Sequence, residues 1–141
     1  MQSIVCFTSG DARGNPGPAG IGIVIIEADL VIHEEARSVG NATDIFAEYS
    51  AVMTCLQLLV EYLKDDSVAT DIEIKLDSEL VQKQLAHESQ INEPGLIPMF
   101  IEIHNLRVAN FPKLRFTLIS SEENKAAVAL VNEALDKVAV R

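Results

Sequence analysis

Five short segments of the chain have the alternating or continuous apolar pattern that predicts β-strands. Three of them follow one another closely, at residues 2–9, 19–27 and 30–38. Connections this short favour an antiparallel meander, because consecutive strands then pair side by side. Two later segments, at residues 71–76 and 114–119, have the same character. The pattern therefore predicts a sheet of five strands.

Apolar residues change to helical spacing in four other segments. The longest runs from Asp44 to Leu63 and is apolar on much of its surface, so it is predicted to be the central packing helix. Thr43 or Asp44 supplies its N-cap. Three further helices are predicted at about residues 78–85, 96–108 and 122–138. The resulting order, β-β-β-α-β-α-α-β-α, predicts an α/β fold in which helices flank both faces of one mixed five-stranded sheet.

A stretch rich in glycine and proline joins the first two predicted strands. Four glycines and two prolines lie between Gly10 and Gly20. This density predicts a shaped loop that is neither helix nor regular strand. Loops at strand ends often carry functional sites. A hairpin that only reverses the chain is the alternative.

Composition bounds the class of protein and its partners. The 141 residues form one predicted domain, 1–141, and 48% hydrophobic residues indicate a globular chain. The formal net charge of −10 repels phosphate backbones, so any affinity for nucleic acid must be local. No apolar run reaches the length of a membrane helix, and the first residues do not resemble a signal peptide.

Two cysteines, Cys6 and Cys55, both lie in apolar runs. Their positions predict buried free thiols, as expected for a cytoplasmic protein.

Three carboxylates lie where a site at a sheet edge would need them. Asp11 follows the first strand, Asp77 follows the fourth, and Glu48 lies in the first turns of the central helix. Clustered carboxylates bind hard cations such as Mg²⁺, and two such ions can assist phosphoryl transfer. Capping and turn roles for the same residues are the alternative.

Four motifs occur in order along the chain, and as a set they are specific. The motifs are Phe7-Thr8-x-Gly10 continuing to Gly20, Ala47-Glu48-Tyr49-x-Ala51, Asp77-Ser78-x-Leu80-Val81, and Glu122-x-Asn124-Lys125-x-Ala127. Through these motifs the chain resembles type 1 ribonuclease H from the first strand to the last helix. The resemblance implies the ribonuclease H-like fold and cleavage of RNA in RNA–DNA hybrids, with two Mg²⁺ ions held by four carboxylates.

Two of the four carboxylates that the resemblance implies are absent. Glu48 and Asp77 match the family's positions, whereas Ser9 and Val128 replace the other two. Serine is at best a neutral oxygen ligand, and valine has no ligand atom. The sequence therefore predicts a catalytically degenerate protein, a pseudoenzyme, whose residual pair Glu48 and Asp77 holds at most one Mg²⁺ or Mn²⁺ ion weakly.

The residues that the resemblance assigns to hybrid binding are only partly retained. Arg13 and Asn15 match the hairpin that contacts the hybrid, and Thr43 matches a second contact. Ser121 replaces an arginine, and residues 86–92 lack the family's basic side chains. The expectation is weak binding of an RNA–DNA hybrid.

Two alternatives stay open at this stage. Asp11 and Asp44 have positions from which they could replace the missing carboxylates, and the protein would then be an active Mg²⁺- or Mn²⁺-dependent ribonuclease. The other alternative is an interaction scaffold, whose acidic surface binds an unknown protein partner and no nucleic acid. Neither alternative involves a membrane.

Overall fold

The computed structural model of the protein describes residues 2–139, and in these residues five strands form one mixed sheet. The sheet order is β3-β2-β1-β4-β5. β1 pairs antiparallel with β2, and β2 with β3, which confirms the predicted meander. β1 pairs parallel with β4, and β4 with β5. The strands are β1 Ser3–Ala12, β2 Gly17–Glu27, β3 Leu30–Ala42, β4 Asp71–Leu76 and β5 Leu114–Leu118.

Four α-helices follow the predicted order. The bounds predicted for the first helix are confirmed. The second begins one residue later than predicted, because Ser78 is its N-cap and accepts a hydrogen bond from the Val81 N–H. The third helix begins at Ile97, one residue later than predicted, after a short 3₁₀ turn at Pro94–Leu96. A second 3₁₀ turn, at Glu122–Asn124, forms the predicted start of the last helix. The helices are α1 Asp44–Leu63, α2 Glu79–Leu85, α3 Ile97–Asn110 and α4 Lys125–Ala139.

The prediction that the glycine-rich stretch contains no regular strand is wrong. β1 continues to Ala12 and β2 begins at Gly17, so only four residues lie between the strands. Glycines within the strands let the helices approach closely. A Cβ atom on Gly10 would lie 2.3 Å from the Ala47 carbonyl carbon, and one on Gly22 would lie 2.1 Å from the Ala127 carbonyl oxygen.

These close approaches place α1 and α4 on opposite faces of the sheet. Gly10 is the register partner of Ile21, the residue before Gly22. Because successive residues of a strand face opposite sides, Gly10 faces α1 while Gly22 faces α4. On the α1 face, buried side chains of β1, β2 and β4 pack with α1 and α3 to form the main core.

The hairpin between β1 and β2 is tied to the start of α1. Asn15 Oδ1 accepts a hydrogen bond from the Asp44 N–H at 3.1 Å. Thr43, one of the two predicted candidates, is the N-cap, and its Oγ1 accepts from the Phe46 N–H at 3.1 Å. These bonds satisfy amide groups that a helix start otherwise leaves unpaired. They also hold Glu48, one turn further along α1, near the end of β1.

Cys6 and Cys55 are both buried and are not joined by a disulfide, which confirms the prediction of free thiols. A hydrogen bond with Cys55, together with burial, raises the pKa of the Cys6 thiol well above its usual value. No helix within residues 2–139 combines the length and the apolar character that crossing a bilayer requires.

Candidate functional site

A cavity of about 380 Å³ opens where β1 and β4 end and where α1 and α4 begin. It brings together the carboxylates singled out from the sequence and the two residues that the sequence resemblance assigns to further carboxylate positions. The residues concerned are Ser9, Asp11, Asp44, Glu48, Asp77 and Val128.

The topology of the sheet explains this convergence. β1 and β4 are parallel neighbours, so their carboxyl ends lie at the same edge of the sheet. Ser9 and Asp11 lie on β1, and Asp77 directly follows β4. α1 and α4 contribute Glu48 and Val128 from the two faces.

Glu48 is a buried carboxylic acid in the wall of the cavity. Its residue is only 7% exposed. Its Oε1 accepts a hydrogen bond from the Gly10 N–H at 3.0 Å, whereas its buried Oε2 has no hydrogen-bond partner. Burial, followed by the negative charges of Asp77, Asp11 and Asp44, raises the pKa of Glu48 to about 8, against the lowering effect of the Gly10 bond. At pH 7 this arrangement therefore favours the protonated acid.

Asp11 and Asp44, the possible substitutes for the missing carboxylates, have local hydrogen bonds. Asp11 is exposed, and its Oδ1 accepts from the Ala12 N–H at 2.8 Å. Asp44 Oδ1 accepts from the Ile45 N–H, also at 2.8 Å. Both residues line the cavity while their side chains stabilise the backbone next to them.

The residues present do not fit the pair of Mg²⁺ ions that the resemblance implies. Divalent cations need several oxygens around one point, at about 2.0–2.6 Å from the ion. Within residues 2–139, no three Asp, Glu, His or Cys side chains lie close enough together to hold a metal ion. Val128 offers no ligand atom, and Ser9 contributes at most a neutral hydroxyl that is nearly buried.

The three predicted hybrid-binding residues lie around the hairpin and the start of α1. The side-chain oxygens of Asn15 and Thr43 accept hydrogen bonds from backbone amides at the start of α1. Arg13, which is 44% exposed, forms an ion pair with Asp136 of α4 at 2.5 Å. Sequence reasoning missed Asp136, because nothing in the linear order relates the last helix to the first hairpin.

A protein family and several known proteins match most of the chain. The family described as reverse transcriptase-like matches residues 8–134. The chain is 35% identical over 131 residues to the ribonuclease HI of Halobacterium salinarum, over 92% of this chain and 63% of that protein. A bifunctional protein of Mycobacterium tuberculosis is 31% identical, but the chain spans only 37% of it.

Solved structures of similar proteins have the same fold. LC11-RNase H1, isolated from compost, superposes with a TM-score of 0.92 at 39% identity, covering 98% of this chain and 99% of that one. The structure of LC11-RNase H1 in complex with an RNA/DNA hybrid gives a TM-score of 0.91 at 38% identity, with coverage of 96% and 98%.

Proposed function

Because the chain belongs to the ribonuclease H family of type 1, we propose that it binds RNA–DNA hybrids weakly and does not cleave them. One observation carries the proposal. Ser9 and Val128, which the sequence resemblance assigns to two carboxylate positions of the family, line the same cavity as Glu48 and Asp77. Under this proposal the site keeps its place in the fold and lacks half of its acidic ligands.

Loss of these ligands removes the means of catalysis. Two metal ions assist phosphoryl transfer by clamping the attacking and the leaving oxygens, and each ion needs fixed carboxylates. Glu48 must also release a proton before it binds a cation, since its pKa is about 8. The residual pair Glu48 and Asp77 is therefore proposed to hold one Mg²⁺ or Mn²⁺ ion at most, weakly and more readily as the pH rises.

Hybrid binding is supported by the hairpin and by the similar LC11-RNase H1, whose structure is known in complex with an RNA/DNA hybrid. In this chain the hairpin residue Asn15 is held against α1 by a hydrogen bond to the Asp44 N–H. The net charge of −10 and the ion pair between Arg13 and Asp136 both oppose phosphate binding. The proposed affinity is accordingly weak, and it decreases further with salt.

A second candidate function is cleavage by a relocated site. The observation that favours it is that Asp11 and Asp44 line the cavity, where their charges add to the effects of burial and Asp77 in raising the pKa of Glu48. Under this alternative the protein is a Mg²⁺- or Mn²⁺-dependent ribonuclease. Against it, both aspartates are bonded to backbone amides.

A cleavage assay distinguishes the two candidates. The protein is incubated with a labelled RNA–DNA hybrid and Mg²⁺ or Mn²⁺, and we expect no cleavage. The double variant Ser9→Asp and Val128→Asp should gain cleavage, because it restores both carboxylates. The matched control, Ser9→Asn with Val128→Asn, has side chains of similar size without charge and should stay inactive. Cleavage by the unaltered protein that Glu48→Gln abolishes would refute the proposal and support the relocated site.

Fluorescence anisotropy with a labelled hybrid, repeated at several salt concentrations, tests binding separately. Arg13→Ala should weaken binding and reduce its dependence on salt, since one phosphate contact is lost. Arg115→Ala is the matched control, because Arg115 is also a half-exposed arginine in a single ion pair, with Glu73. Absence of binding even at low salt would contradict the proposal and favour the protein-binding scaffold.

A further inference from the structure

A line of apolar side chains runs along the outer side of α3. Ile97, Ile101 and Val108 are 42%, 50% and 67% exposed, respectively. At about 100° per residue, they lie within a sector of about 40° around the helix axis. Met99 and Leu106, which pack against the core, lie on the opposite side of the helix. A continuous apolar line of this kind, unlike scattered exposed residues, is typical of an interaction site.

The spacing of these residues indicates a helix as the partner. The α3 stripe, which comprises the three exposed residues and His104, has intervals of four, three and four residues, the spacing of a coiled-coil seam. These intervals read the same in both directions along the helix. A second copy related by a two-fold axis therefore presents a matching series in the antiparallel direction. We propose that α3 pairs antiparallel with α3 of a second copy of this chain.

Charge also favours a second copy at this surface. The chain has a formal net charge of −10, so two copies repel each other. The charged residues of α3 are Glu102 and Arg107, whose charges cancel, and neither belongs to the stripe. Glu102 lies about 100° or more around the helix from each member of the stripe, and Arg107 Nη2 donates to the Leu114 carbonyl at 2.9 Å. A strongly charged partner would find no opposite charge in the stripe, whereas a second copy brings a matching apolar seam.

The area of the contact makes this a weak dimer. α3 has 14 residues, and a helix of this size is about 21 Å long and about 10 Å wide. One side of it provides much less than the roughly 800 Å² per partner of a standard interface. The expected dissociation constant is therefore roughly 0.1–1 mM. The inference does not rest on hybrid binding, because the described residues that line the cavity all lie outside α3.

Sedimentation equilibrium of the full chain, from about 10 µM to about 2 mM, tests the inference. We expect the apparent mass to rise from 15.4 kDa toward twice that value as the protein concentration increases. Added salt should strengthen the association, because it screens the repulsion between the acidic copies and leaves the apolar contact intact. A protein that stays monomeric at about 2 mM, or an association that salt weakens, would overturn the proposal.

Two single variants locate the interface, with folding checked by circular dichroism. Ile97→Lys and, separately, Val108→Glu place an unpaired charge in the stripe and should each weaken the association by at least about tenfold. Leu30→Lys and Leu30→Glu are the matched controls, at an exposed apolar residue of β3, and should leave the dissociation constant within about threefold. Net charge cannot explain a loss in Ile97→Lys, because this variant is less acidic than the wild type. Unchanged association in both stripe variants would refute the assignment.

An equimolar mixture of the two stripe variants tests the antiparallel register. In the proposed pairing, Ile97 of each copy meets Val108 of the other. The mixed dimer therefore places the new ammonium beside the new carboxylate and keeps the second contact apolar. We expect the mixture to associate at least about fivefold more tightly than either variant alone. A parallel pairing joins like positions and gives no such recovery, so a mixture no tighter than the separate variants would refute the antiparallel seam.

Discussion

Replacing Glu48 by glutamine should change how the free energy of unfolding depends on pH. In the folded protein the pKa of Glu48 is raised from 4.5 to about 8, first by burial and then by the charges of Asp77, Asp11 and Asp44. In the unfolded chain the same group has an ordinary pKa. Between these two values the folded state keeps a proton that the unfolded state has released.

The sign of the effect follows from this difference in bound protons. A group whose pKa is raised by folding contributes its full stability below the unfolded pKa, and the contribution is lost as the pH rises toward the folded pKa. Between pH 5 and pH 8, pKa values of 4.5 and about 8 correspond to a loss of about 3.5 kcal/mol. Glutamine does not titrate, so Glu48→Gln should lack this component.

Urea unfolding at pH 5.0, 6.5 and 8.0, without divalent cations, measures the effect. Because the chain has no tryptophan, far-ultraviolet circular dichroism is the suitable probe. Relative to the wild type, Glu48→Gln should become more stable by about 3.5 kcal/mol as the pH rises from 5 to 8. The unpaired amide that glutamine leaves is the same at each pH and cancels in this comparison. Glu34→Gln controls for the removal of one charge from the acidic chain.

A relative change below about 1 kcal/mol between pH 5 and pH 8 would refute the reasoning. It would mean that Glu48 is ionised in the folded protein, either because water reaches its Oε2 or because a cation remains bound. The proposal that the residual metal pair binds more readily at high pH would then lose its basis.

Two further predictions concern the scaffold around the site, and chemical denaturation at one pH checks both. Gly10→Ala should destabilise the fold by about 3 kcal/mol, because its Cβ would lie 2.3 Å from the α1 backbone. In the control Gly95→Ala the new Cβ would meet no atom within 4 Å, so stability should change by less than about 0.5 kcal/mol. Similar losses in both would contradict the close-approach argument. Tyr49→Phe should lower the free energy of unfolding by about 1–3 kcal/mol, because it leaves the buried Gln84 Oε1 unpaired. Tyr62→Phe, which removes an exposed hydroxyl, should lower it by less. The reverse order would show that burial does not determine the loss of stability.

The raised pKa of Glu48 bears on the proposal of catalytic degeneracy. Glu48 and Asp77 line the cavity together with Asp11 and Asp44. Burial first, and then the negative charges of the three aspartates, keep the proton on Glu48. A cation that binds at Glu48 must displace this proton, so cation binding and the ionisation of Glu48 are coupled.

The linear pattern alone was enough to predict the order of the elements and most of their bounds. Alternation and helical spacing report which residues are buried, and burial in this fold follows the same periods. The pattern misjudged the glycine-rich stretch, because glycine is scarce in isolated strands. Gly10 and Gly22 lie in strands because α1 and α4 pack so closely against them that a Cβ atom would not fit.

The candidate site likewise has features that the sequence predicts and features that only the folded structure determines. The sequence alone identifies Ser9, Glu48, Asp77 and Val128 as the residues at these positions. It also shows that two carboxylates implied by the family resemblance are absent. Only the tertiary structure decided that these positions share one cavity, that Glu48 Oε2 is buried without a partner and that Arg13 is bonded to Asp136. Residue identity is a property of the sequence, whereas desolvation and the distances between charges depend on how the folded elements pack. These two quantities set the pKa of Glu48.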